Sequence, residues 1–281
     1  MLDDDRGRGA GRFAPHAGFL LDGEEHRLAG STAPQFGLVF PTANADTRDF
    51  DDLAERISPP CRLTALNLPW PPGTADRLAS MTDTDLVATV AALGSPDHLR
   101  RSLRTGGDEL DMLALAVTSA SFLVDPDGQQ RQIDVLAEVG GCPATTTTRA
   151  FQDATVFCGF RAVAVASVYP PVFTDAFVAR LAEVGVETVS RVDANARTDA
   201  DLAAWDPERI AALVADTVST GVDAEAVVLP ETALHTHGHY DLLVDAAGGR
   251  PVLTALHVTL WSLYRHLGLT PTAPGAGPLF A

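Results

Sequence analysis

Residues 113–122 read LALAVTSASF and residues 226–235 read AVVLPETALH: in each, a short, wholly apolar run gives way to a turn of small hydroxyl residues, proline or a carboxyl group. Uniformly apolar runs of this length form strands covered on both faces, as in a parallel sheet between helix layers. Each run has a companion upstream. GLVFPTANAD at 37–46 precedes the first, and AVASVYPPVF at 164–173 precedes the second. Each half thus supplies one strand ending in an aromatic-proline turn and one ending in a threonine-bearing polar turn, the mark of an internal duplication.

The segments between these strands keep a βαβ rhythm. In the first half FGLVF is followed by a helical pattern from about Thr84 to Leu93, then MLALAV, then a helix from about Asp127 to Val139. The second half runs RAVAVASV, a helix from about Thr174 to Val184, ETVSRV, a helix from about Pro207 to Thr217, EAVVL, a helix from Tyr240 to Ala246, PVLTA and a closing helix at WSLYRHL. The expected fold is α/β, with two pseudo-symmetric lobes, each holding a mainly parallel sheet of four strands. Ligands of doubly wound sheets sit beyond the carboxyl ends of the strands, so the four turns are expected to meet in one cleft between the lobes. The expected organisation is an extension at 1–34, a first lobe at 35–145 completed by 256–281, and a second lobe at 146–255.

The 281 residues include 37 acidic and 20 basic side chains, a formal net charge of −17, and no basic patch interrupts the acidity. Such a field repels polyanions, so neither nucleic acid nor an anionic membrane is an expected partner. Hydrophobic residues make up 46% of the chain, enough for a substantial core, and no apolar run is long enough to span a bilayer. The first residues, MLDDDRGRGAGRF, do not have the pattern of a signal peptide. Cys61, Cys142 and Cys158 are odd in number and lack metal-ligand or disulfide-framework spacing. A soluble protein of the reducing cytoplasm is expected.

Candidate chemistry lies in the four turns. After Val117, the hydroxyls of Thr118 and Ser119 and the neighbouring backbone N–H groups make a nest for a carboxylate, although helix capping accounts for the same residues. Glu231 follows a buried strand and a proline. Partial desolvation there raises a carboxyl pKa and makes a usable general acid or base, whereas an exposed first-turn acid is the plainer alternative. Pro41 and Asn44 mark the first strand's turn, and Tyr169 brings a phenol to the matching turn of the second half. These neutral donors, with the backbone N–H groups of Thr232 and Ala233, suit an oxyanion that develops next to a bound carboxylate. His257, near the end of the last strand, is a candidate second acid/base, a hydrogen-bonded structural histidine being the alternative.

In their order and spacing these residues resemble the aspartate/glutamate/hydantoin racemase superfamily, and within it the branch of arylmalonate decarboxylases and maleate cis-trans isomerases, over about residues 36–275. FPTAN looks like that branch's first-strand turn, VTSASF like its carboxylate-binding turn, and TLWSLYRHLG like its final helix. Tyr169 falls where the branch carries a substrate-binding tyrosine, and Asn195 matches loosely an asparagine that contacts the substrate carboxylate. The resemblance implies flavodoxin-like lobes, an inter-lobe active site, no cofactor and a small carboxylate substrate. A homo-oligomer stays open. The branch places catalytic cysteines where this chain has Val117 and Glu231, so neither thiol is present.

What the resemblance then implies is a lyase or isomerase working through an enediolate-like carbanion, most like a decarboxylase of a malonate-type acid with Glu231 as proton carrier. A cis-trans isomerase, a hydro-lyase and a catalytically dead carboxylate-binding protein are the alternatives. A further rival comes from His235, His237 and His239, alternate histidines followed by Asp241, which resemble the zinc loop of metallo-β-lactamase-fold hydrolases. That loop ends in a histidine where this chain has Leu242, so no metal is expected.

Overall fold

The computed structural model describes residues 33–42, 45–107, 109–220 and 223–281. Nearly all of the expected extension at 1–34 lies outside them, as does Asn44. The first half comprises β1 (Gln35–Phe40), α1 (Arg48–Arg56), β2 (Arg62–Asn67), α2 (Asp83–Leu93), α3 (Pro96–Ser102), β3 (Met112–Leu115), α4 (Thr118–Phe122), α5 (Pro126–Gly140), β4 (Ala144–Thr146) and α6 (Thr147–Cys158). The second comprises β5 (Ala162–Ser167), α7 (Pro171–Ala182), β6 (Glu187–Asp193), α8 (Asp199–Ala203), α9 (Pro207–Ser219), β7 (Ala226–Leu229), α10 (Tyr240–Ala246), β8 (Val252–Thr254) and α11 (Ala255–His266).

The strands form two four-stranded sheets in the orders β2-β1-β3-β4 and β6-β5-β7-β8, with every pairing parallel. The same order in both confirms the duplicated α/β architecture. The central strands are the buried ones, β3 and β7 throughout and β1 and β5 after their first residue; of the edges, β2 and β6 are partly exposed while the short β4 and β8 are buried. Helix starts are written in the sequence. Thr82, Ser95, Asp125, Thr198 and Asp206 each accept a hydrogen bond from the backbone N–H three residues on, supplying one of the donors a helix leaves unpaired. α7 begins at Pro171, ahead of the expected Thr174, because proline is pre-set for the first helical position.

Thr146 and Thr254 end β4 and β8 and cap α6 and α11, so both strands pass into helix without a loop. These two helices pack against each other and are joined by a hydrogen bond between Thr147 and Thr259, 2.9 Å. α11 also packs against α1, β3 and β4 of the first half. Among the described residues no helix is long and apolar enough to cross a membrane.

The site-bearing α4 is held by a close approach. Gln132 Nε2 donates to the carbonyls of Gly94 and Ala120, both at 2.8 Å, clamping the end of α2 against α4. A Cβ on Gly94 would lie 2.6 Å from the Ala120 carbonyl oxygen and 2.7 Å from Gln132 Nε2. Gly94→Ala is therefore expected to destabilise the fold by about 1–3 kcal/mol through overpacking, read as a lower urea midpoint at unchanged slope.

Candidate active site

The carboxyl ends of β1, β3, β5 and β7 open onto a cavity of about 280 Å³, lined by Pro41, Thr42, Val117, Thr118, Ser119, Tyr169, Asp199, Glu231, Thr232 and Ala233 among others. Pro41, Val117, Ser119, Tyr169, Asp199 and Glu231 also face an adjoining recess of about 40 Å³. Its remaining wall is largely apolar, with Trp70, Leu78, Leu86 and Val90 from the first half and Phe173 and Leu202 from the second. Of the residues singled out in the sequence, Pro41, Val117, Thr118, Ser119, Tyr169, Glu231, Thr232 and Ala233 come together here.

Glu231 sits just beyond Pro230 at the end of β7, 6% exposed, and its Oε1 accepts the Ala233 N–H at 2.6 Å. Burial is the main force pushing its pKa up, the Asp199 carboxyl adds to it, and bonds from Ala233, Tyr169 and Thr232 pull the other way, leaving it at about 7. The Ala233 amide is thus committed to Glu231, and that of Thr232 also favours the ionised carboxylate. This corrects the expectation that both amides face an oxyanion. Thr232 Oγ1 donates to the Ala116 carbonyl at 2.9 Å and ties the β7 turn to the end of β3.

Tyr169 is 8% exposed and its phenol donates to the Pro230 carbonyl at 2.9 Å. Burial, then the Glu231 carboxyl, holds the phenol well above its usual pKa, so it is a neutral donor at physiological pH. Its ring is fixed by an edge contact with Phe122 and by stacking on Phe173. Thr118 Oγ1, beside that phenol, is buried and has no hydrogen-bond partner of good geometry among the described residues. A buried orphan hydroxyl is costly unless a ligand or water satisfies it.

Two expected site residues lie elsewhere. His257 is in the first turn of α11, 1% exposed, with Nδ1 bonded to Thr254 Oγ1 at 2.7 Å and its ring enclosed by Tyr240, His237 and Phe280. Burial lowers its pKa to about 3, and it is a neutral structural histidine away from the cavity. Asn195 is exposed and outside the cavity lining. It has φ 57, the left-handed region that asparagine tolerates better than most residues, and its N–H donates to the Tyr169 carbonyl at 3.3 Å. Asn195 therefore turns the chain, and the residues after it, Ala196 to Asp199, line the recess.

Those residues are what sequence reasoning missed. Asp199 begins α8 and faces both cavities, and burial pushes its pKa up. Arg197 spans to the first half, where it donates to the Met81 carbonyl at 2.9 Å and pairs with Asp83. The alternate histidines disperse: His235 lies 3.4 Å from Asp46, His237 Nε2 is 3.2 Å from Arg56, and His239 is exposed. Among the described residues no three His, Cys, Asp or Glu side chains gather as metal ligands, which removes the geometric basis of the zinc-hydrolase alternative. Cys61, Cys142 and Cys158 do not line the cavity, and burial raises each thiol, the latter two to about 11.

These features define a two-lobed α/β protein whose paired parallel sheets aim a buried carboxyl, a phenol and free hydroxyls into one cleft. The sequence profile of the arylmalonate decarboxylase family matches residues 85–280, and the chain belongs to that family. A doubly substituted arylmalonate decarboxylase solved in liganded form shares the fold with a TM-score of 0.70 at 22% identity, over 89% of this chain and 99% of that one. The maleate isomerase of Pseudomonas putida S16 aligns at 0.68 and 19% identity over 89% and 98% of the two chains. The maleate cis-trans isomerase of Nocardia farcinica aligns at 0.65 and 17% over 88% and 97%. No curated protein sequence matches significantly.

Proposed function

We propose that this protein is a cofactor-independent lyase acting on a small malonate-type acid through an enediolate-like carbanion. The observation that carries this reading is the buried Glu231 just beyond β7, facing a cavity that is also lined by the Thr118 hydroxyl, which has no partner of good geometry among the described residues. One substrate carboxylate is received by Thr118 and Ser119. The other faces the apolar recess, where a charged group is poorly solvated and its loss as neutral carbon dioxide is favoured. The C–C bonding pair stays on the α-carbon as an enediolate with the retained carboxylate. Glu231 then delivers its proton, so that its O–H bond breaks as the new C–H bond forms and the carboxylate left behind is held by the Ala233 amide.

The test is incubation with phenylmalonate, methylmalonate or maleate in deuterated water, followed by NMR. Decarboxylation of a malonate with one deuterium on the new C–H carbon is the expected result. Conversion of maleate alone would establish an isomerase if the product is fumarate and a hydro-lyase if it is malate, and recovery of all three acids unchanged but bound would leave a carboxylate-binding protein.

A further inference from the structure

Glu231 does not face the cavity alone. Asp199 reaches the same space from the start of α8, and no hydrogen bond or ion pair to its carboxyl is made by any described residue. The charged and titratable groups around the pair leave it uncompensated. From the β5 turn comes the neutral Tyr169; from the β1 turn comes Asp46, paired with Arg48 and close to His235. The β3 turn gives only Val117, Thr118 and Ser119, and the recess wall from the first half is apolar. Arg197 is the cation lining the recess, and its guanidinium is engaged by Asp83 and the Met81 carbonyl.

We propose that Asp199 and Glu231 work as one unit that holds a single proton between them in the resting site, and that Glu231 delivers this shared proton. Two carboxylates that line one cavity, with no cation among the described residues paired to either, cannot both ionise cheaply, so the last proton is held above the usual carboxylate range. Burial raises Asp199, and burial together with the Asp199 carboxyl brings Glu231 to about 7, which agrees with this. The orphan Thr118 hydroxyl, which lines the same cavity, marks it as a ligand site. In turnover the shared proton passes to carbon as an O–H bond of the pair breaks. The doubly ionised pair is then at its most basic and reloads from water. The catalytic role rests on the function proposed above, whereas the shared proton does not.

The pair is tested by carbon-13 NMR titration of protein labelled at the Asp and Glu carboxyl carbons, read from pH 4 to 9. The expected result is a coupled two-step titration of Glu231, with its upper step lowered by about one pH unit in Asp199→Asn. Glu231→Gln is expected to lower the titration of Asp199 in the same way, and this reciprocal variant serves if the first does not fold. Unchanged titration of the remaining carboxyl in a folded variant would overturn the pair, even if malonates are turned over. Coupled titrations without turnover of any acid would support the pair and remove the proposed function.

Discussion

Glu231→Gln is expected to lower the rate of proton delivery by about 10² or more while leaving substrate affinity nearly unchanged, because the amide keeps the volume and loses the transferable proton. Delivery requires the protonated form, so the wild-type rate falls as pH rises through about 7, and that limb disappears in the variant. Folding stability has the same sign of pH dependence. The folded protein holds the Glu231 proton more tightly than the unfolded chain, so between pH 4.5 and about 7 folding stability falls as pH rises. At about 1.4 kcal/mol per pH unit, ionised Glu231 costs up to about 3 kcal/mol at alkaline pH. The Gln variant is therefore expected to unfold at higher urea than the wild type at pH 8 and to lose that advantage near pH 4. A variant as active as the wild type, with the same pH profile, would sink the assignment.

Phe122→Ala is expected to reduce stability by about 3–5 kcal/mol, a large part of the roughly 5–15 kcal/mol that holds a typical domain together. Phe122 is 1% exposed at the end of α4, with ring contacts to Tyr169 at 5.4 Å, Phe177 at 5.6 Å and Phe173 at 6.3 Å. This aromatic group links the first half to the second and fixes the ring whose phenol lies beside Thr118 and Glu231. Truncation leaves a cavity directly beneath Tyr169. A fall in the urea midpoint with unchanged slope, together with weaker substrate binding, is the expected pair of results. Phe122→Leu, which refills part of the space, is expected to recover much of both.

The parts of the fold legible in the sequence are those where local composition and final environment agree. β1, β3, β5 and β7 are buried on both faces and read as unbroken apolar runs. The edge strand β2, RLTALN, has no such run, and β4 is three residues long, so neither stands out. α6 was hidden by its start: TTTTRAF suggests β-branched extension, yet Thr146 caps the helix and the next residues are held in it by packing. Glu231 was legible because a strand and a proline fix its place. Asp199 was not, because its position depends on the left-handed turn at Asn195, which folds a polar loop back over the recess. His257 looked exposed to the cleft from its place at a strand end, but the loopless entry into α11 carries it into the core.

That loopless entry bears on how the molecule can be divided. α6 follows the first sheet in the chain but also packs on α7, and α11 follows the second sheet but packs on β3, β4 and α1 of the first. A cut between α6 and β5 would give two fragments, of which the longer, amino-terminal one would lack the helix that covers part of its sheet. That fragment is expected to expose apolar surface when alone and to regain structure when mixed with its counterpart. The same reciprocal packing is the arrangement that two identical half-chains would make if each laid its last helix on the other, with the cleft at their seam.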